Sequence, residues 1–298
     1  MIDNSYIDTL NKLSMPMVKF VVSVSSGASS AVAADRAIKR YGADNVDLVF
    51  ADTLIEDDDN YRFLDDLEMR WHKKIIRISE GRTPLQIATD DNIIPNQLLA
   101  TCTKHLKITP IVNYVKALQA DGYTVVMVIG MNASDAKPRK DKPEGRLASP
   151  RKNWGGIGCH VVYPLLWSPV DFDSVKTVKA WGIDPPRMYK QGYKHANCGG
   201  TCVKQGKKDW RRTLTNYPDR YKEVEAWERK MRLNEKNKSY ALLRDFRDGE
   251  MTPMTLEQLR IETENADRKQ LRLFDITDDM QYTCGDTCGV GNDWSQND

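Results

Sequence analysis

Short runs of β-branched and apolar residues recur through the first half of the chain, and a helically patterned stretch follows each of them. Residues 17–23 (MVKFVVS) read as a buried strand, followed by a Ser/Gly turn and then by AVAADRAIKRYG, which Gly42 terminates. Residues 44–52 give a second strand, 60–73 a helix, 74–78 a third strand, 109–121 a helix, and 123–129 a fourth strand ending at Gly130. Strands that alternate with helices at this spacing predict an α/β fold: a largely parallel, doubly wound, Rossmann-like sheet covered by helices on both faces. The 298 residues suit one large domain or a domain with an appendage. The division expected is an α/β domain over 1–182 and a helical C-terminal region over 183–298.

The remaining segments fill in that plan. Residues 134–156, rich in Lys, Arg, Pro and Gly, read as a long exposed loop, and apolar structure resumes at 163–167. A helix is expected over 171–181, ending at Gly182, and a charge-dense helical pattern over 218–273. Residues 275–298 are polar and Gly-rich. With 29% charged residues and a net charge of +2, the chain is neither a disordered tail nor a strongly basic nucleic-acid binder. The sequence has no apolar run long enough for a transmembrane helix and no secretory pattern at Met1, so a cytoplasmic location and no membrane partner are expected.

Four constellations carry possible chemistry. Ser25-Ser26-Gly27-Ala28-Ser29-Ser30, between a strand and a helix, can offer backbone N–H groups, hydroxyls and a helix dipole to a phosphate. The same small residues would also serve a turn that merely packs a helix on a strand. Asp52 and Thr53 end the second strand, where open α/β sheets bind ligands; Asp52 suits a ribose hydroxyl or Mg²⁺, or a plain helix cap. Cys102, with Lys104 and Lys107, precedes a helix whose dipole would stabilise a thiolate, the alternative being a buried thiol beside surface lysines. Last, Cys198 and Cys202 share a Cys-x-x-x-Cys spacing with Cys284 and Cys288. Four thiolates on two glycine-bearing turns suit one tetrahedral Zn²⁺ or an iron–sulfur cluster such as [4Fe-4S], and two redox pairs or free thiols are the alternatives.

Taken in order, these segments resemble the phosphoadenosine phosphosulfate (PAPS) reductase family of the adenine nucleotide α-hydrolase, or PP-loop, superfamily. Residues 23–30 (SVSSGASS) are similar to its S-x-S-G-G-x-D-S loop, 50–53 (FADT) to its D-T-G segment, 102–110 to its C-T-x-x-L-K-x-x-P segment, and 129–135 to its G-x-R-x-x-E/D loop. Ser26 stands at a glycine of that loop and Ser29 at its aspartate, and the E-C-G-x-H tail of the authentic reductases is absent. The resemblance implies a PP-loop nucleotide-binding domain taking ATP or PAPS, with Mg²⁺ as a companion ion. It implies that Ser25, Ser26, Gly27, Ser29, Ser30 and Gly130 hold phosphate, that Asp52 and Thr53 face ribose or metal, and that Lys104, Lys107 and Arg139 neutralise phosphate or sulfate. Asp52 and Cys102 are the candidate catalytic residues. The activity expected first is a transferase-type cleavage at the α-phosphate for sulfur or group transfer. PAPS reduction, an oxidoreductase activity, is the alternative, and a non-catalytic nucleotide-binding module with a structural metal is the third. A sulfur donor, a nucleic acid and a second copy of the chain are the further partners to expect.

Overall fold

In this computed structural model the described residues are 17–96, 99–133, 135, 137, 147–169, 171–247 and 250–268. Five parallel strands form one sheet in the order β3-β2-β1-β4-β5: β1 Val18–Val24, β2 Val46–Asp52, β3 Ile75–Ser79, β4 Thr124–Val128 and β5 His160–Val162. The order reverses at β1, so the crevice between the ends of β1 and β4 is the topological switch point, the place where sheets of this type bind ligands. Register sets which loops meet there. Val24 lies opposite Phe50, Val22 opposite Val128, and Asp52 opposite Ser79. The segments beginning at Ser25, Thr53 and Ile129 therefore leave the same carboxyl edge.

The strands are apolar on both sides because helices cover both sides. Val22, Val24, Leu48, Phe50 and Val128 pack with α1 (Ala28–Tyr41), α2 (Asp58–Trp71) and α6 (Ser174–Ala180). Their alternating neighbours Val21, Val49, Ala51, Val125 and Met127 pack with α4 (Thr109–Ala120) and α5 (Ala148–Gly155). This is the period-two alternation of strand side chains with each set buried on its own face. Between β3 and β4 lie α3 (Pro84–Asp90), closed at its start by a Thr83/Gln86 capping box, and a π-helical turn, Thr103–Ile108, that runs directly into α4. Pro110 has no N–H to give to the preceding turn, and the ladder widens there, with Thr109 N bonding back to Lys104 O.

The C-terminal region comprises α7 (Arg187–Lys190), a 3₁₀ turn at Asn197–Gly200, α8 (Lys207–Asn216), α9 (Pro218–Met231), a hairpin of β6 (Leu243–Arg247) and β7 (Glu250–Met254), and α10 (Leu256–Arg268). Its core, built on Trp210, Tyr221, Val224, Leu242, Leu256 and Leu259, also takes in Ile94 and Ala100 from the first half. Two expectations are corrected here. The stretch 218–273 is not continuously helical, because Leu243–Arg247 and Glu250–Met254, which flank an Asp-Gly dipeptide in the sequence, pair as antiparallel strands. The stretch 134–156 is not all loop: its end is α5, which buries Leu147 and Trp154 against the sheet. Among the described residues no helix is long and apolar enough to cross a membrane.

Candidate functional site

The turn after β1 is shaped by an unusual residue. Ser26 has φ +56°, while Gly27 is in ordinary extended backbone at φ −97° and ψ 156°. The left-handed position thus falls on Ser26, whose hydroxyl donates to Ser25 O at 2.6 Å. Ser30 Oγ accepts from Ser25 N at 3.0 Å and donates to Gly27 O at 2.9 Å, closing the turn on itself. Ser29 Oγ donates to Ser174 Oγ at 3.1 Å on α6, and the Tyr189 hydroxyl accepts from Ala28 N at 3.1 Å at the start of α1. Gly130 is required by packing: a Cβ there would stand 2.9 Å from Ser29 O and 3.0 Å from Ser30 Cα. The bare backbone at the end of β4 lets that strand lie against the turn.

One strand over, the end of β2 leads to a buried carboxylate. Asp52 Oδ1 accepts from Leu54 N and from the Tyr61 hydroxyl, both at 2.8 Å. Thr53, 1% exposed, donates to Glu56 Oε1 at 3.1 Å. Glu56 Oε2 accepts from Asn60 Nδ2 at 3.1 Å and from Cys198 N at 2.7 Å. Burial pushes the Glu56 carboxyl up from its usual range, opposed by the charge of Lys107 and by these donors. Glu56 therefore ties the strand end to the cysteine turn, 142 residues further along the chain.

That turn is held in a conformation that few sequences adopt. Cys198 (φ +59°), Gly199 (φ +53°) and Gly200 (φ +80°) are all left-handed. A Cβ on Gly199 would meet Ile55 O at 2.5 Å. Arg220 donates to Gly199 O and to Asp57 Oδ2, both at 2.9 Å, and Arg187 pairs with Asp57 at 2.7 Å. The turn buries His195 and Asn197, whose side-chain polar atoms have no hydrogen-bond partner among the described residues. Burial and the Lys107 charge push the His195 imidazole down to about 4, so it is neutral near pH 7.

Cys198 and Cys202 from this turn meet Cys102, Thr103, Leu106 and Lys107 from the π-helical turn, together with Thr53, Pro84 and Lys204, around one cavity of about 20 Å³. That space takes a water-sized molecule and not a nucleotide. The Cys198 and Cys202 side chains pack in one small buried cluster with Ile55 against it. Sharing a proton with Cys198, and facing Lys107 and Lys204, holds the Cys202 thiol below its ordinary value, and the Cys198 thiol is raised correspondingly. Burial works against the Lys107 ammonium, but Cys198, Glu56, Cys202 and Cys102 around it raise its affinity for the proton. Burial and the neighbouring Cys202 push the Cys102 thiol up to about 11, so desolvation outweighs the helix dipole and keeps it protonated.

Of the residues singled out in the sequence, Thr53, Cys102, Lys107, Cys198 and Cys202 share this cavity. Ser25, Ser26, Gly27, Ser29 and Ser30 form the turn after β1, Gly130 packs against it from the end of β4, and Asp52 ends β2; none of these lines the cavity. Lys104 is exposed and does not line the cavity. Arg139, Cys284 and Cys288 lie outside the described residues. The expected four-cysteine metal centre needs Cys284 and Cys288 and so lies partly outside the described residues; among those described, no group of three or more His, Cys, Asp or Glu side chains is arranged to hold a metal ion. Unforeseen participants are Glu56, Asn60, His195, Asn197, Lys204, Arg187, Arg220 and Tyr189. Thr53 and Glu56 lie in the loop between β2 and α2, and only Asn60 is on the helix, so no periodic pattern in the sequence marks Glu56 and Asn60.

A family model for the phosphoadenosine phosphosulfate reductase domain matches residues 19–200, more than half of the chain. The chain belongs to the phosphoadenosine phosphosulfate reductase family. The matched span in this PAPS reductase family member runs from β1 to the cysteine turn, so both the Ser25–Ser30 turn and Cys198 fall within it. No curated protein matches the chain. Among solved structures it is similar to phosphoadenylyl-sulfate (PAPS) reductase from Candida auris in a phosphate complex, at 17% identity and a TM-score of 0.41, over 67% of this chain and 98% of that one.

Proposed function

We propose that this family member is an enzyme that binds an adenine nucleotide across the ends of β1 and β4 and carries out sulfur chemistry with the thiols beside the end of β2. The observation that carries this reading is the convergence of Cys102, Cys198 and Cys202 on one cavity at the carboxyl edge of the sheet, whose first turn is the Ser/Gly-rich segment Ser25–Ser30. Family membership makes an adenine sulfonucleotide such as PAPS the first substrate to test. The N-terminal end of α1 supplies donors for phosphate: Ala28 N exchanges its bond to the Tyr189 hydroxyl for one to the ligand, and Ser25 Oγ likewise gives up its bond to Ser30 Oγ. Lys107 and Lys204 provide positive charge next to the thiols, where an anionic sulfate or phosphate needs it. The hydroxyls of Ser29 and Ser30 are engaged within the protein, so their part is to hold the turn.

Cleavage of ATP at the α-phosphate, with transfer of sulfur to the activated acceptor, is the second reading. It rests on the likeness of residues 23–30 to the S-x-S-G-G-x-D-S loop of the PP-loop superfamily. Calorimetric titration of the reduced protein with PAPS and with ATP, paired with assays for released sulfite and pyrophosphate, separates the two. Binding of PAPS with sulfite release is the expected result. Binding of ATP with pyrophosphate release moves the assignment to the second reading. Failure of both nucleotides to bind a folded protein overturns the proposal.

A further inference from the structure

The Cys198–Cys202 turn has a feature that neither reading requires. Two thiols four positions apart, one on the 3₁₀ turn and one just after it, pack in one buried cluster and line the same small cavity. The backbone that brings them together is fixed from outside. Glu56 holds Cys198 N at 2.7 Å, Arg220 holds Gly199 O at 2.9 Å, and Thr201 N returns to Cys198 O at 2.8 Å. Gly199 fits against Ile55 O only because it has no Cβ. A left-handed cysteine is a strained residue, and such positions persist where the surroundings over-determine them. The strain places the two sulfurs in contact.

We propose that Cys198 and Cys202 are a redox-active dithiol, oxidised to a Cys198–Cys202 disulfide by a small peroxide admitted to the cavity. In the first step one cysteine sulfur, having given up its proton, attacks a peroxide oxygen. The O–O bond breaks, hydroxide leaves, and a sulfenic acid remains. In the second step the other thiol attacks that sulfenyl sulfur, the S–O bond breaks, and water leaves with the displaced proton. Two thiol sulfurs lose two electrons, and the two peroxide oxygens gain them. The cavity's size selects the oxidant: it takes a molecule on the scale of water and excludes bulky disulfides. Cys102 shares the cavity but is not part of the tight turn, so it is a bystander to the second step. This deepens the reading above by giving its thiols a second oxidation state. Its test needs no nucleotide, so either can fail alone.

The experiment uses the full chain, reduced and desalted. It is treated with hydrogen peroxide, its remaining thiols are alkylated, and the digest is mapped by mass spectrometry. The expected result is a peptide joining Cys198 to Cys202, lighter by two hydrogens than the reduced pair and restored by dithiothreitol. The same linkage is expected in C102S. In C198S and C202S the sulfenic acid stays on the remaining partner and is captured by dimedone. Adding saturating nucleotide is expected to slow oxidation; an unchanged rate with the linkage intact overturns the placement of nucleotide beside the cavity and leaves the dithiol standing. Oxidation of both sulfurs to sulfinic acids without linkage overturns the dithiol. So does a dominant link from either cysteine to Cys102, Cys284 or Cys288, or a bound metal that protects both from alkylation until a chelator removes it.

Discussion

Ser26 sits at φ +56° in the turn where its relatives' pattern has glycine, and its side chain is fully buried. A non-glycine residue there costs on the order of 1 kcal/mol, partly offset by its bond to Ser25 O at 2.6 Å. Ser26→Gly is therefore expected to raise stability by up to about 1 kcal/mol in chemical denaturation and to leave nucleotide affinity intact. A loss of stability would mean that the hydroxyl, and not the backbone, decides this position. Gly199 has the opposite prognosis. Its φ of +53° and the 2.5 Å approach of Ile55 O to a new Cβ put Gly199→Ala against backbone that cannot swing aside. Roughly 2 kcal/mol or more of destabilisation is expected, with faster alkylation of Cys198 and Cys202 as the turn opens. Thermal melts alongside timed thiol labelling check both.

At the scale of elements, Asp57 is the joint. It begins α2, accepting Asp59 N at 3.1 Å, and its buried carboxylate binds Arg187 on α7 and Arg220 on α9. Burial alone would raise its pKa, but the hydrogen bonds from Arg187 and Arg220 hold it below the ordinary 3.8. A carboxyl depressed in the folded state contributes stability that is complete above the unfolded value and is lost as pH falls through 3.8 toward the folded value. Asp57→Asn keeps the cap and loses the charge. It should cost about 1–3 kcal/mol near neutrality, less than a fully buried pair because both arginines reach solvent, and it should flatten the acid limb of the stability curve. Urea titrations of both proteins at several pH values below about 5 test this; parallel acid limbs would show that Asp57 does not carry the linkage. The hairpin is fastened by another ion pair. Lys207 Nζ lies 2.6 Å from Asp245 Oδ1, and the two residues are 5% and 8% exposed. Lys207→Met takes the ammonium away from a buried carboxylate that keeps the Phe246 N–H, and is expected to cost about 3 kcal/mol. If the mutant's melting is unchanged, the hairpin is not held by this pair.

At the scale of the whole molecule, the layering follows from the strand patterns. β-branched runs apolar on both faces, alternating with helical stretches, admit few arrangements besides a parallel sheet between two helical layers. Pro218 at the start of α9 and Gly42 at the end of α1 were legible for the same reason, because their backbone preferences act locally. The hairpin at 243–254 carried its own Asp-Gly signal but lay within a charge pattern that also suits helices, and only the packing of Leu242, Leu243 and Met254 against Trp210 and Tyr221 decides between them. The site divides along the same line. The Ser25–Ser30 turn, Asp52, Cys102 and the Cys198/Cys202 spacing could be read off the chain, because residue type and short spacing imply their chemistry. That Glu56 reaches across to Cys198, that Cys102 joins the cysteine turn, and that burial rather than the helix dipole governs the Cys102 thiol could not. Those are consequences of segments about 100 residues or more apart meeting at one sheet edge, where desolvation and neighbouring charges set protonation. The sequence by itself determined the layers and the local turns, since these rest on periodicity and backbone preference. The tertiary structure alone decided which thiols, carboxylates and ammonium groups face one another, since that depends on how the C-terminal helices close over the end of β2.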